Sequence, residues 1–247
     1  MKTDSARFAV YYAPSPDSAL WRFCSAWLGR DAVTGARLES PVRGDFDPVW
    51  LAAITASPRH YGFHGTLKPP FVLAEGKTPE ALSDRLSDFA ATRPVFTLPT
   101  LALRTLDGFL ALAPTAPSSP LQALAAACVQ ELDDFRRPPD ASELQRRRAA
   151  GLNPRQDALL RSWGYPYVLD EFRFHLTLSE RLEKTQGDRL SRLLEPMLAP
   201  LLAQPLRVDA VCLFAQLSRS EPFRLLDRYG FKGIERRITH DAAAGYD

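Results

Sequence analysis

Two copies of a His-x-Thr-Leu pattern are the residues of this chain best suited to chemistry. They are His64-Gly-Thr-Leu67 and His175-Leu-Thr-Leu178, and each directly follows a phenylalanine. In a β-strand, residues i and i+2 lie on the same face, so each copy would present an imidazole beside a hydroxyl. Two such strands brought together would place an acid, a base and two hydrogen-bond donors around one point.

The polar face of each motif strand extends beyond these four residues. In the first copy Lys68 continues the face of His64 and Thr66, and in the second copy Arg173 precedes His175 and Thr177 on the same face. Each of these two cations either contacts a phosphate or lies at the rim of the site. The combined set holds imidazoles, hydroxyls and cations but no carboxylate. Such a set favours an anionic substrate whose reaction moves protons, and a phosphodiester fits that description.

The predicted chemistry is general acid–base catalysis by the two histidines. One neutral imidazole takes a proton from an attacking water or hydroxyl, and the other, protonated, donates to the leaving oxygen, each transfer contributing about 10²–10⁴ in rate. Thr66 and Thr177 donate hydrogen bonds to the non-bridging phosphate oxygens as charge builds there. The two settings are near mirror images, so either His64 or His175 is the base. An ordinary histidine pKa of about 6.5 predicts a bell-shaped rate profile around neutrality, with no metal and no cofactor.

The two motifs in their surroundings resemble the signature of the two-histidine phosphoesterase superfamily, which includes RNA ligase-like and cyclic nucleotide phosphodiesterases. More narrowly, Tyr61 to Phe71 and Glu171 to Leu178 resemble a branch associated with phosphonate-utilisation operons. The resemblance implies a bilobal fold, catalytic roles for His64 and His175, and phosphate-oxygen contacts from Thr66 and Thr177. It also implies a sugar or nucleoside cyclic phosphate as substrate, such as a phosphoribosyl 1,2-cyclic phosphate.

Tyr61, His60 and His240 are further candidates for the site. Tyr61 is expected to form part of its wall and to contact substrate. His60 and His64 are four residues apart, which on a helix would be a metal pair. However, Pro58 and Gly62 predict a turn there and no third ligand accompanies the pair, so no metal site is expected. His240, near the end of the chain, is expected to have no role.

The elements that must position the motifs alternate between strands and helices. We predict a bilobal α+β fold in which residues 1–247 form one domain. Its two pseudo-symmetric lobes each consist of an antiparallel sheet flanked by helices, and the active-site cleft lies between them. The first motif strand should end at Pro69-Pro70. Pro196 and Pro200 should kink or end a late helix. The remaining elements are predicted as strands at 8–13, 96–103, 109–113, 172–179, 208–216 and 223–229, and helices at 18–28, 47–56, 78–91, 120–135 and 187–202.

An arginine-rich stretch interrupts this plan. Between residues 136 and 161 the chain carries seven arginines against three acidic residues. We interpret residues 136–164 as a helical insertion, which more compact members of the superfamily lack. It is either a solvated surface element or an arm that gathers a phosphate-bearing substrate.

The composition excludes several other classes. Of the 247 residues, 45% are hydrophobic and 24% charged, and the net charge is +2, which argues against a protein that coats DNA. No apolar stretch approaches the length of a membrane span, and the three separated cysteines suit a reducing compartment, so a cytoplasmic protein without membrane partners is expected. The expected partner is a small phosphate-containing substrate or an RNA end, and the oligomeric state is left open. Two alternatives remain: a non-catalytic protein that binds RNA or phosphorylated ligands in the same cleft, and a structural protein with buried histidines.

Overall fold

The computed structural model describes residues 6–42, 46–149 and 151–232, together with the backbone of 237–238. His240 lies outside these residues. Within them the chain is a mixture of helices packed on antiparallel β-structure, which confirms the predicted α+β class.

Ten strands are described, of which eight form one sheet in the order β10-β9-β8-β1-β2-β6-β5-β4 and two form the separate pair β3-β7. Every neighbouring pair in these sheets is antiparallel. The strands are β1 (Arg7–Tyr12), β2 (Gly65–Phe71), β3 (Phe96–Thr97), β4 (Leu101–Leu106), β5 (Phe109–Pro114), β6 (Leu176–Arg181), β7 (Arg207–Val208), β8 (Ala210–Gln216), β9 (Arg224–Gly230) and β10 (Arg237–Ile238).

The large sheet consists of two halves that meet at the two motif strands. On one side β2 pairs with β1, and on the other side β6 pairs with β5 over several residues. Between β2 and β6 the register holds a single pair, Gly65 opposite Leu176. The two predicted sheets are thus joined at the point where the two motifs lie side by side.

Eight α-helices cover the sheet. They are α1 (Ala19–Leu28), α2 (Pro48–Ile54), α3 (Ala56–Tyr61), α4 (Pro79–Ala91), α5 (Ser119–Gln130), α6 (Ala141–Arg148), α7 (Pro154–Trp163) and α8 (Lys184–Leu202) among the described residues. The helix starts follow local rules, since Ser18, Asp47, Thr78 and Ser118 each accept a backbone N–H of the first turn. In α1, Trp27 donates from Nε1 to the carbonyl of Leu178 at 2.8 Å, which ties this helix to the second motif.

Two helical segments differ from the sequence prediction. Residues 56–61 form helix α3 rather than a turn, because Pro58 falls in the first turn, where a proline costs no hydrogen bond, and Gly62 ends the helix. Helix α8 runs without interruption through Pro196 and Pro200. Both prolines lie on its exposed face, where the carbonyls they leave unpaired can reach water, while Leu190, Leu194 and Leu198 bury the opposite face.

The core is continuous across both halves of the sheet, whereas the arginine-rich stretch packs through a small separate cluster. That stretch contains α6 and α7, and its apolar contacts centre on Val129, Leu159 and Val168. Cys24, Cys128 and Cys212 are all buried and free. None of the described helices combines the length and apolar character needed to cross a membrane.

Candidate active site

The pairing of Gly65 with Leu176 brings the four principal candidate residues together. Extending this antiparallel register by one residue in each direction sets His64 opposite Thr177 and Thr66 opposite His175. Because alternate residues point to opposite faces, all four side chains lie on the face away from Gly65 and Leu176.

Both imidazoles are held in the same way. His64 Nδ1 lies 2.8 Å from the carbonyl oxygen of Gly62, and His175 Nδ1 lies 2.8 Å from that of Arg173. A carbonyl oxygen only accepts, so Nδ1 carries the proton in each ring and Nε2 is left to exchange a proton with a ligand. His64 Nε2 is 3.3 Å from the hydroxyl of Thr66.

Gly62 supplies the backbone that places this carbonyl. Its φ of 81° lies in the region that disfavours side chains, and a Cβ there would be 2.6 Å from the Cβ of Ala32. A glycine at this position lets the chain turn from α3 into the motif while aiming its carbonyl at His64.

The surroundings of the two rings favour their neutral forms. His64 stacks on Tyr11 with ring centroids 3.8 Å apart, and burial lowers its pKa to about 4, an effect opposed by the Gly62 hydrogen bond and reinforced by the charge of His175. His175 lies beside Phe109, with centroids 5.5 Å apart. Burial also lowers the pKa of His175, while the carbonyl of Arg173 and the carboxylate of Asp107 act in the opposite direction. The charge of His175 is thus felt at the ring of His64.

A cleft of about 480 Å³ opens beside the motif strands. His64, Thr66 and Thr177 line it, whereas His175 is not among its lining residues, although its neighbour Phe109 is. The lining also contains three arginines, Arg7, Arg147 and Arg181, against one glutamate, Glu180. The cleft therefore contains an imidazole that can transfer a proton, together with more basic than acidic side chains.

Of the three residues predicted to contact substrate, the structure brings only Tyr61 to the cleft. Lys68 is 2% exposed, and its ammonium group donates to the Val129 carbonyl at 3.0 Å and pairs with Asp133 at 3.2 Å. The side chain of Arg173 is exposed and does not line the cleft, and only its carbonyl takes part, through His175.

Lys68 lies away from the predicted face because the pairing of β2 with β1 is irregular. Val10 pairs with Lys68 and the next residue, Tyr11, pairs with Thr66, so β2 has an extra residue between the two positions. A bulge of this kind breaks the alternation that would have kept Thr66 and Lys68 on one face. Pro69 and Pro70, which were expected to end the strand, lie within it and line the cleft instead.

Several lining residues were not predicted from the sequence. Arg7 was placed before the first strand, but it begins β1 and shares a strand face with Tyr11, two alternations further on. Within the arginine-rich stretch, Arg147 reaches the cleft together with Tyr165, over whose ring it lies at 5.2 Å. Ion pairs with nearby carboxylates hold four of the other arginines, Arg136, Arg148, Arg155 and Arg161, away from the lining.

Across the described residues, no group of three or more His, Cys, Asp or Glu side chains is arranged to hold a metal ion. His60, the possible partner of His64 in a metal pair, lies in α3, whereas His64 lies beyond the end of that helix. The Nε2 of His60 is 2.9 Å from Nε2 of Gln216.

Fold and cleft together define an α+β protein with a duplicated histidine–threonine strand at the junction of two half-sheets. The chain belongs to the family described as "Protein of unknown function (DUF1045)", whose sequence model matches residues 66–224. It is 36% identical over 237 residues to a Janthinobacterium sp. (strain Marseille) protein named ribose 1,5-bisphosphate phosphokinase PhnN, covering 94% of this chain and 52% of that protein. A Laribacter hongkongensis (strain HLHK9) protein of the same name is 36% identical over 222 residues, covering 89% and 50%. The chain thus spans about half the length of the curated relatives it matches.

Among solved structures, the chain is similar to Escherichia coli LigT complexed with NADP+, with a TM-score of 0.41 and 14% identity over 93% of this chain and 99% of that one. A structure titled "phosphoesterase" gives a TM-score of 0.40 and 14% identity over 92% and 98%. The apo form of LigT gives a TM-score of 0.40 and 16% identity over 92% and 97%.

Proposed function

We propose that the protein is a metal-independent phosphodiesterase that opens a small cyclic phosphodiester. The observation that supports the proposal is the antiparallel pairing of Gly65 with Leu176, which brings the two motifs side by side in the sheet. A phosphoryl group beside them would find a base, an acid and two donors for its non-bridging oxygens.

His64 is the proposed base. Its Nδ1–H is tied to Gly62, and burial against Tyr11 keeps the ring neutral at ordinary pH, so that Nε2 is free to accept a proton. It takes this proton from a water molecule whose oxygen attacks phosphorus. The new P–O bond forms as negative charge grows on the non-bridging oxygens, to which Thr66 and Thr177 donate.

His175 is the proposed acid. Burial lowers the pKa of His175, but the Arg173 carbonyl and Asp107 oppose that effect and favour the protonated form, in which Nε2–H can donate to the departing ring oxygen. The P–O bond of the ring breaks, the departing oxygen becomes a hydroxyl, and the product is a phosphate monoester. The net reaction adds one water, and exchange with solvent returns each histidine to its starting form.

For the substrate we propose a phosphorylated pentose cyclic phosphate. The relatives from Janthinobacterium and Laribacter are named for ribose 1,5-bisphosphate, and this chain matches half of their length. Water attack on ribose 5-phosphate 1,2-cyclic phosphate, with departure of the oxygen on carbon 2, yields ribose 1,5-bisphosphate. The chain itself has no Walker-type phosphate loop, so the kinase chemistry in that name would need residues that this chain lacks.

The test is ring opening in the presence of EDTA. Ribose 5-phosphate 1,2-cyclic phosphate and a 2′,3′-cyclic nucleotide are incubated with the purified protein in ¹⁸O-labelled water, and the products are followed by ³¹P NMR and mass spectrometry. We expect one ¹⁸O atom in the product phosphate, with His64→Gln and His175→Gln each slowing the reaction by at least about 10²-fold. His240→Gln is the matched control, since the sequence gives that histidine no role.

Three outcomes would overturn the proposal: no ring opening of either substrate, full activity in both variants, or loss of activity on chelation. If the protein binds these ligands, or an RNA end, with the same affinity in all forms but cleaves none, the non-catalytic binding alternative replaces it.

A further inference from the structure

Arg7 has a cationic side chain that the chemistry proposed for the two motifs does not use. It is about half-buried, lines the cleft, and is paired with no carboxylate among residues 6–42, 46–149 and 151–232. Burial and the like charge of Arg219 lower its pKa, but a guanidinium stays protonated at any ordinary pH. A half-buried positive charge that pairs with no acidic side chain of the described residues favours the binding of an anion.

The guanidinium is held in a fixed orientation. Its Nε donates to Oε1 of Gln216 at 2.6 Å, and its Cζ lies 5.1 Å from the centroid of the Phe223 ring. Gln216 is fully buried, and its own Nε2 donates to the Glu221 carbonyl at 2.7 Å, which obliges Oε1 to face Arg7. The phenol of Tyr61 also lies close enough to interact with the guanidinium.

Arg147 is a second cation in the same cleft. It lies over the ring of Tyr165, which also lines the cleft, and Glu143 accepts from its Nη2 at 2.9 Å. Glu143 offsets part of its charge, so Arg147 should contribute less to anion binding than Arg7. It is the point at which the arginine-rich stretch touches the cleft.

The backbone of Arg7, at the start of β1, lies away from the residues that would hold the reacting phosphorus. Arg7 is four residues before Tyr11 in β1, about 13 Å along the strand, and Tyr11 is the residue on which His64 stacks. The ring of Tyr61 lies 6.1 Å from that of His64 and also interacts with Arg7. One phosphate held by Thr66 and Thr177 would leave Arg7 without an anion.

We propose that Arg7 and Arg147 form a subsite for a second phosphate, a monoester carried by the same molecule whose cyclic diester is opened. This inference rests on the proposed function and assigns the residues that would recognise the further phosphate group of its substrate. Arg7 acts as a specificity residue there, and Gln216 is its positioning residue.

The experiment compares two substrates that differ only in the second phosphate: ribose 1,2-cyclic phosphate with and without a 5-phosphate. In Arg7→Met we expect kcat/KM for the phosphorylated substrate to fall by about 10- to 100-fold, the loss of charged hydrogen bonds, and kcat/KM for the other to stay within about twofold. Arg147→Met should show a smaller effect of the same kind. Arg161→Met is the matched control, since that arginine lies in the same stretch but pairs with Asp157 outside the cleft.

Binding of ribose 5-phosphate, measured by calorimetry, separates the subsite from the reaction. We expect it to bind the wild-type protein and to lose at least about tenfold in affinity in Arg7→Met, or a smaller but measurable part of its affinity in Arg147→Met should the first variant not fold. Absence of binding, or an equal loss of kcat/KM on both substrates, would overturn the subsite while leaving the phosphodiesterase proposal intact. Arginine-dependent binding without any ring opening would support the subsite and overturn the phosphodiesterase.

Discussion

The ring of Phe174 lies directly against the backbone of Gly65. A Cβ built on Gly65 would be 2.4 Å from Cε2 of Phe174, a distance that no ordinary contact allows. The aromatic residue that precedes the second histidine therefore occupies the space left by the missing side chain between the first histidine and its threonine. This contact sits at the only residue pair that the described register of β2 and β6 contains.

Replacing Gly65 by alanine should force the two motif strands apart. Phe174 is 8% exposed and packs edge-on against Tyr12, so it has little room to yield, and overpacking of this kind costs about 1–3 kcal/mol. We expect lower stability in denaturant unfolding, together with loss of activity. Gly187→Ala is the control, because a Cβ at that helical glycine meets nothing within 4 Å, and the change should be neutral or stabilising. Adding Phe174→Leu to Gly65→Ala should restore part of the loss, and strict additivity of the two changes would contradict this explanation.

Lys68 should matter for stability and not for substrate binding. Its ammonium group is buried against Asp133 and the Val129 carbonyl, away from the cleft. Lys68→Met leaves Asp133 paired with Arg136, so we expect a loss of about 1–3 kcal/mol in unfolding free energy with an unchanged KM. An increase in KM at unchanged stability would return Lys68 to the role that the sequence suggested.

The two threonines should affect the rate of the chemical step more than binding. If Thr66 and Thr177 donate to oxygens that gain charge in the transition state, then Thr66→Val and Thr177→Val should each lower kcat by about 10²–10³ with little change in KM. Thr105→Val, at an exposed position of β4, is the matched control. An increase in KM of that size with an unchanged kcat would indicate instead that the two hydroxyls bind the substrate in its ground state.

The pH profile should be shifted toward acid relative to the neutral bell expected from sequence. For the free enzyme, kcat/KM rises as pH climbs through the His64 pKa of about 4 and falls as pH climbs through the His175 pKa, which burial holds below 6.5. A bound anionic substrate stabilises both protonated rings and raises both pKa values. The bell for kcat should therefore lie at higher pH than the bell for kcat/KM, and the reverse order would contradict these roles.

Asp107→Asn tests the assignment of the acid within that profile. The carboxylate of Asp107 raises the pKa of His175, so its removal should move the alkaline limb of kcat/KM to lower pH and leave the acid limb in place. Asparagine tolerates the positive φ of 47° at this position. A shift of the acid limb instead would assign the base to His175.

The sequence predicted the elements whose signals are local and missed those that depend on pairing. Asp47-Pro48 and Thr78-Pro79 start helices as expected, because capping and a proline in the first turn act within a few residues. The prediction that Lys68 shares a face with His64 and Thr66 was wrong because β2 contains a bulge. That bulge depends on the register with β1, and within the sequence of β2 only Pro69 and Pro70 point to it. The grouping of His64 with His175 was predicted only from their duplication, and the structure supplies the single pair that joins them.

The sequence contains a signal that predicts the position of Arg7. This residue stands four residues before Tyr11, so an alternating face continued toward the start of the chain would have carried the positive charge to the same side as the ring that packs on His64. Its orientation, in contrast, depends on Gln216, which is 209 positions away in the chain.

The antiparallel register at Gly65 and Leu176 sets His64 opposite Thr177 and His175 opposite Thr66. The reaction centre therefore has an approximate twofold symmetry axis. A small cyclic phosphodiester that enters such a centre meets nearly the same groups after a rotation of 180°. Either of the two ester oxygens in its ring is then in position to be released. Arg7 stands at one end of this centre, and a phosphate bound there would admit one of the two orientations. The regiochemistry of cleavage would then be decided far from the phosphorus, by a residue that takes no part in moving protons.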